Sequence, residues 1–232
     1  MKPFRITSGI ASFALFVSSS FAASIVVNID SGDKEFRNFS DSTVLTAGAK
    51  NGANQIADHD GALIQLGYFS NATSADLFSG TWIPLSGEGS AGFTGPNLNF
   101  RTTIGDNRDN GVGDGQFATQ LLFTDANPSS FQNLPTPGRP LAIRVYDGLT
   151  LATSTRFETI SSNISGWLWR APGDPQPVSI DLSLFDSGLR LQSTNAAPAA
   201  NGQIRTVTPV PEPSSLLLLS IGALVSLKRR RS

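Results

Sequence analysis

Short apolar segments alternate with polar residues along most of this chain, and no long stretch repeats its apolar positions at period 3.6. Val178, Ile180, Leu182 and Leu184 alternate with Ser179, Asp181 and Ser183, and Leu141, Ile143 and Val145 alternate with Ala142, Arg144 and Tyr146. Phe117, Thr119, Leu121 and Phe123 mark a third face. Successive side chains of a strand point to opposite faces, so each pattern predicts a half-buried strand. Further strands are predicted at 24–29, 62–69, 81–85, 98–104 and 166–170. Asp147-Gly148 separates the run 141–146 from 149–157, and Asp-Gly suits the positive φ angles of a two-residue type I′ hairpin turn. One helical turn is predicted at 72–78, with Ser70 or Asn71 as cap. Residues 172–177 (PGDPQP) read as a rigid surface loop. Short strands with polar turns predict an all-β domain, an antiparallel sandwich or jelly roll. No repeat of fixed period points to a solenoid or propeller.

Both ends depart from this pattern. Lys2 and Arg5 precede the apolar run 9–17, and Ser20-Phe21-Ala22 supplies small residues at the two positions a signal peptidase reads. A signal peptide over 1–22 is predicted, cleaved after Ala22; cleavage after Ala23 would place bulky Phe21 at a small-residue position. The β domain then spans 23–192. Residues 193–208, rich in Ala, Asn and Pro, read as a linker, with one last edge strand at 204–207 left open as the alternative.

Residues 209–232 read PVPEPSSLLLLSIGALVSLKRRRS. The Pro211-Glu212-Pro213 triplet leads into an apolar run at 214–227, which ends in the basic cluster Lys228, Arg229, Arg230 and Arg231. A helix over 214–227 rises about 21 Å at ~1.5 Å per residue, short of a ~30 Å hydrocarbon core. The basic cluster would hold its end on the cytoplasmic side. Triplet, short helix and basic tail together resemble the PEP-CTERM sorting signal of Gram-negative bacteria. That resemblance implies a substrate of exosortase, processed near Pro211, Glu212 and Pro213 after a stage in the inner membrane. It also implies association with extracellular polysaccharide or biofilm matrix, at the cell surface or beyond. The body, above all 140–157 and the Trp-containing segment after it, resembles small β-rich exported proteins that carry this signal; that likeness implies a compact β domain and no particular activity.

The targeting ends mask the charge of the body. The chain holds 17 basic and 18 acidic residues; without Lys2, Arg5, the four tail cations and Glu212, 11 basic stand against 17 acidic, a net charge of −6. Binding nucleic acid calls for the opposite sign, so nucleic acid is excluded as a default partner. Cysteine is absent, which removes disulfides, thiolate nucleophiles and Cys-based zinc sites.

Few residues offer chemistry. His59, the one histidine, lies between Asp58 and Asp60; the flanking carboxylates suit a metal or proton-transfer site, and the same residues suit a turn. Asp106, Asp109, Asn110 and Asp114 superficially resemble a calcium loop. Arg108 and Phe117 occupy the third and twelfth positions, where oxygen ligands belong, so an EF-hand is rejected. A looser Ca2+ site and a plain hairpin turn both remain open. Trp167 and Trp169, two apart on one predicted strand face, are either a sugar-stacking platform or core. Trp82 carries no signal by itself. Of the four glutamates, Glu35, Glu88, Glu158 and Glu212, none has a flanking motif that marks an acid catalyst. The expectation is a non-catalytic surface or matrix protein without a cofactor, with a carbohydrate-binding or polysaccharide-hydrolysing sandwich as the alternative.

Overall fold

The computed structural model describes residues 24–32, 34–40, 43–46, 61–90, 104, 115–124, 133–182, 188–197 and 203–210. They form an all-β body, whose only helical element is a single 3-10 turn at Ser165–Trp167. β1 (Ser24–Asp30) is the centre of a three-stranded sheet, antiparallel to β5 (Ala118–Thr124) and parallel to β8 (Val178–Asp181). A six-stranded sheet contains β3 (Ile64–Phe69), β4 (Trp82–Pro84), β6 (Ala142–Tyr146), β7 (Arg156–Ser161), β9 (Arg190–Leu191) and β11 (Thr208–Pro209). Its path runs β11-β7-β6-β3-β4, with β9 also on β7. β2 (Glu35–Arg37) and β10 (Gln203–Arg205) form a separate parallel pair. The six-stranded sheet is antiparallel throughout, as expected; the three-stranded sheet is mixed and the small pair parallel, because β8 and β10 each enter beside an earlier strand in its own direction.

The alternation read from the sequence places one core. Ile25, Val27 and Ile29 of β1, Leu121 and Phe123 of β5, and Val178 and Ile180 of β8 meet Ile64 and Leu66 of β3, Ile143 and Val145 of β6, and Ile160 of β7 in one buried cluster. Trp167, Trp169, Phe36 and Phe117 complete it. β3 is buried along its whole length, so the other face of the six-stranded sheet is covered as well. Smaller clusters lie there: Leu63, Tyr146 and Phe157 beneath Leu151 and Val210, and Phe69, Ala72 and Ala142 beneath Phe78 and Trp82.

Four local expectations need correction. Neither Asp147 nor Gly148 takes a positive φ, and β6 closes on β7 at Tyr146↔Phe157, so the connection is the longer loop 147–155. Asp147 ties its neck: its carboxylate accepts from the backbone N–H of Thr155 (2.8 Å) and Arg156 (2.9 Å) and from Thr155 Oγ1 (2.5 Å). A Cβ on Gly148 would sit 2.7 Å from Ser154 N, so this glycine serves close approach instead of a left-handed turn.

The predicted helical turn at 72–78 is an irregular loop. Ser70 Oγ does accept a backbone N–H, but from Thr81 across the loop neck (3.0 Å). The predicted strand at 166–170 is the 3-10 turn followed by a bridge between Leu168 and Pro140. The predicted linker contributes β10 and β11, with Ile204 at 1% and Thr206 at 0% exposure. Most of the predicted strand 98–104 lies outside the described residues.

Candidate functional site

Register on the outer face of the six-stranded sheet gathers the polar residues of three neighbouring strands. Gln65 lies opposite Arg144, and Arg144 opposite Thr159. Alternation turns these side chains away from the core to which Ile64, Leu66, Ile143 and Ile160 contribute. One row along, Tyr146 faces Phe157, and Trp82 pairs with Phe69 at the β3–β4 end. A Cβ on Gly67 would lie 2.6 Å from the Trp82 ring and 2.5 Å from Ile83 O, so only glycine lets the indole lie down on the sheet there.

These placements hold the Arg144 guanidinium carbon 4.3 Å from the ring centre of Trp82 and 4.3 Å from that of Phe157. Contacts of this kind favour a cation over the aromatic faces. Arg144 Nε donates to Thr159 Oγ1 (3.1 Å). Around it, Gln65 Oε1 accepts from Trp82 Nε1 (3.0 Å) and from the Tyr146 hydroxyl (2.8 Å), while Gln65 Nε2 donates to Glu88 O (2.5 Å). The Glu88 carboxylate accepts from Leu151 N (2.5 Å). Among the described residues Arg144 has no carboxylate partner; the Tyr146 hydroxyl is its second side-chain hydrogen-bond partner beside Thr159. Desolvation pushes the Arg144 pKa down from its ordinary value, opposed by Tyr146, and burial pushes the Tyr146 hydroxyl up.

A second charged group is wholly interior. Glu158 is 0% exposed; its Oε1 accepts from Thr159 N (2.9 Å) and Ser193 N (3.2 Å), and its Oε2 from Ser193 Oγ (2.5 Å). Burial raises its pKa, and these hydrogen bonds act against the rise. Its task is to pin the segment after β9 onto β7.

The residues singled out in the sequence fall elsewhere. Trp167 and Trp169 are 0% and 2% exposed. Trp169 meets Phe123 edge-on at 5.2 Å, and backbone bonds to Leu141, Arg139 and Gly138 lock the segment inward. Rings enclosed in this way cannot stack on sugar. His59 and the calcium candidates Asp106, Asp109, Asn110 and Asp114 lie outside the described residues, as do Ala22, Ala23, the triplet Pro211, Glu212 and Pro213, the run 214–227 and the basic residues 228–231. Among the described residues no group of His, Cys, Asp and Glu is arranged to hold a metal, and no helix is long and apolar enough to cross a membrane. A groove of about 360 Å³ opens on the outer face of the three-stranded sheet, between the amides of Asn28 and Gln120 and the loop holding Asp174 and Gln176. The backbone N–H of Gln176, and then Arg170, hold the Asp174 carboxyl below its ordinary range.

The Arg144 cluster was not singled out in the sequence. Its one signal is a charged residue at an outward position of a clean alternation; its aromatic partners come from β4 and β7, which only the pairing reveals.

At the C-terminal end of the described body, β11 closes onto β7 through Thr208↔Phe157 and Pro209↔Arg156. Val210 N donates to Thr155 O (2.8 Å), and Arg156 Nη1 donates to Val207 O (2.8 Å). Val210 also packs on Leu63, Tyr146 and Phe157. Fold and tail together define a β protein whose sheet runs directly into a processing signal. Residues 209–232 match the family model of the PEP-CTERM protein-sorting motif. The chain thus carries the signal of an exported protein sorted by exosortase, a membrane-associated process of Gram-negative bacteria. No curated protein and no solved structure matches the chain.

Proposed function

We propose that this protein is a non-catalytic module delivered to the cell surface or extracellular matrix, with signal peptidase cleaving after Ala22 and exosortase processing it near Pro211–Pro213. The observation that carries this reading is the overlap of signal and body: Pro209 belongs both to the matched motif and to the six-stranded sheet, and Val210, next in the motif, is hydrogen-bonded to Thr155 at the end of the sheet. Whatever exosortase leaves attached or free at this point is joined to the folded body without a spacer. The two sheets facing one core read as a two-layer sandwich.

The acids support a structural rather than a chemical role. Glu158 holds Ser193, Glu88 holds Leu151, and Asp147 holds Thr155 and Arg156. Each is committed to backbone or hydroxyl donors that shape loops, whereas an acid or base catalyst needs reach to a substrate proton.

The test is intact mass and cell fractionation in strains with and without exosortase. With the enzyme, the mature chain is expected to lose the mass beyond the triplet and leave the inner membrane; without it, the tail stays attached and the protein stays in that membrane. The same C-terminal mass and location in both strains would sink the proposal.

A further inference from the structure

We infer that the end of the body carrying Phe39, Leu149 and Val210 is a lipid-docking surface, which lies against the outward leaflet of the inner membrane while the tail is still attached. The inference deepens the delivery reading above and rests on it for the insertion of 214–227.

The length of chain beyond the sheet sets the distance. Val210 is fixed to the body by its N–H on Thr155 O and by packing on Leu63, Tyr146 and Phe157. Pro211, Glu212 and Pro213 alone separate it from the apolar run at 214–227. Fully extended at ~3.3–3.6 Å per residue, that tether holds Val210 within about 14 Å of the start of the run. The basic cluster keeps the far end of the run at the cytoplasmic side. A helix over 214–227 then covers about 21 Å of a ~30 Å core. About 9 Å of core and about 5–7 Å of headgroup remain between its outer end and water. Tilt of the helix lengthens that path and local thinning of the bilayer shortens it. A tether about as long as the path cannot lift the body clear of the lipid.

The side chains at that end suit the contact. The loop 147–155 adjoins Val210 through Thr155, and Leu151 packs on the same cluster. Leu149 on this loop is 46% exposed, and Phe39 is 45% exposed. The Phe39 ring lies 4.5 Å from the guanidinium carbon of Arg156, whose residue pairs with Pro209 of β11. Of the four large apolar side chains exposed among the described residues, two therefore stand at this one end. From Gly148 to Thr155 no residue is charged, and the Asp147 carboxylate is turned to Thr155 and Arg156. In a body of net charge −6 that gap in the acids decides which end can approach lipid, because an ionised carboxylate is costly to take out of water. Leucine gains from the same transfer. A ring beside a guanidinium fits the boundary, apolar toward the acyl chains and cationic toward the phosphates. The tether places lipid, rather than a second body, opposite these side chains.

The chain has no cysteine, so Phe39→Cys, Leu149→Cys and Leu122→Cys each place a single fluorescent probe at an exposed position of the full chain. Leu122, on β5 in the other sheet, is the control. The labelled chains are reconstituted into phosphatidylethanolamine–phosphatidylglycerol vesicles. Probes at 39 and 149 should shift to shorter wavelength and lose most of their emission to lipids that carry a nitroxide near the headgroup, while the probe at 122 keeps its emission. Ala152→Cys, exposed on the same loop, replaces either variant that fails to fold. Probes at 39 and 149 that stay in water, or equal quenching at 122, would overturn the surface. A shift to shorter wavelength without quenching by the lipid nitroxide would assign the surface to another copy of the chain and overturn the lipid partner. A chain that does not float with the vesicles removes the membrane stage of delivery, and this inference with it; one that floats with both probes in water removes this inference alone.

Discussion

Glu158 shows how much one buried side chain can hold in place. All of its hydrogen bonds run from donors on the segment after β9 or from Thr159. Truncating it to Ala would leave these donors unsatisfied, at a cost of about 1–3 kcal/mol for a buried polar group. Glu158→Gln should behave differently, since the amide oxygen can still accept from the backbone and the amide nitrogen can donate to Ser193 Oγ. The pH dependence separates the two forms. Burial raises the folded-state pKa above the ordinary glutamate value, so the native state holds this proton more tightly than the unfolded chain. The contribution is favourable at low pH and is lost as pH rises from the ordinary glutamate range through the raised folded value. Urea melts across that window should therefore show the wild type losing stability relative to Glu158→Gln as pH increases; parallel curves would refute the assignment. Gly67 gives a second test at this scale. A methyl there meets the Trp82 ring and Ile83 O, so Gly67→Ala should cost about 1–3 kcal/mol, as overpacking does. It should also change the near-ultraviolet circular dichroism of the displaced indole.

At the scale of elements, β11 links folding to processing. Two residues of it pair with β7, and Arg156 clasps it from below through Val207 O. Arg156→Ala removes that clasp and the stacking on Phe39 at 4.5 Å. The strand should then fray while β6 and β7 remain paired. The expected result is a small loss of melting temperature and faster appearance of the exosortase-processed mass, because a protease takes its substrate as an extended, unpaired segment. Unchanged processing kinetics in Arg156→Ala would show that the enzyme reaches 211–213 without disturbing the strand. This element was also the hardest to see beforehand. Alternation in 178–184, 141–146 and 117–123 was legible because one face of each strand meets the core, and β1, β3 and β4 followed from the same signal. β11 and β9 have two residues each, too few to show a period, and their existence depends on the free edge of β7. The hairpin failed for a related reason: Asp147 uses its carboxylate to hold Thr155 and Arg156, so a local turn preference gave way to a longer, side-chain-tied loop. The Arg144 cluster was hidden because register between distant strands, not local sequence, brings Trp82 and Phe157 to it.

At the scale of the whole molecule, net charge separates the delivered body from its precursor. The body without its targeting ends carries −6, whereas the basic cluster at 228–231 brings the full chain close to neutrality. Processing near Pro211–Pro213 would take away Lys228, Arg229, Arg230 and Arg231 and leave an acidic product. An anion exchanger should hold that product to higher salt than the chain that keeps its tail, because attraction between opposite charges persists until salt screens it. Replacing the four tail cations with serine should move the unprocessed chain most of the way to the elution position of the product. If protein from strains with and without exosortase elutes at the same salt, the basic tail is still attached and the processing step is refuted.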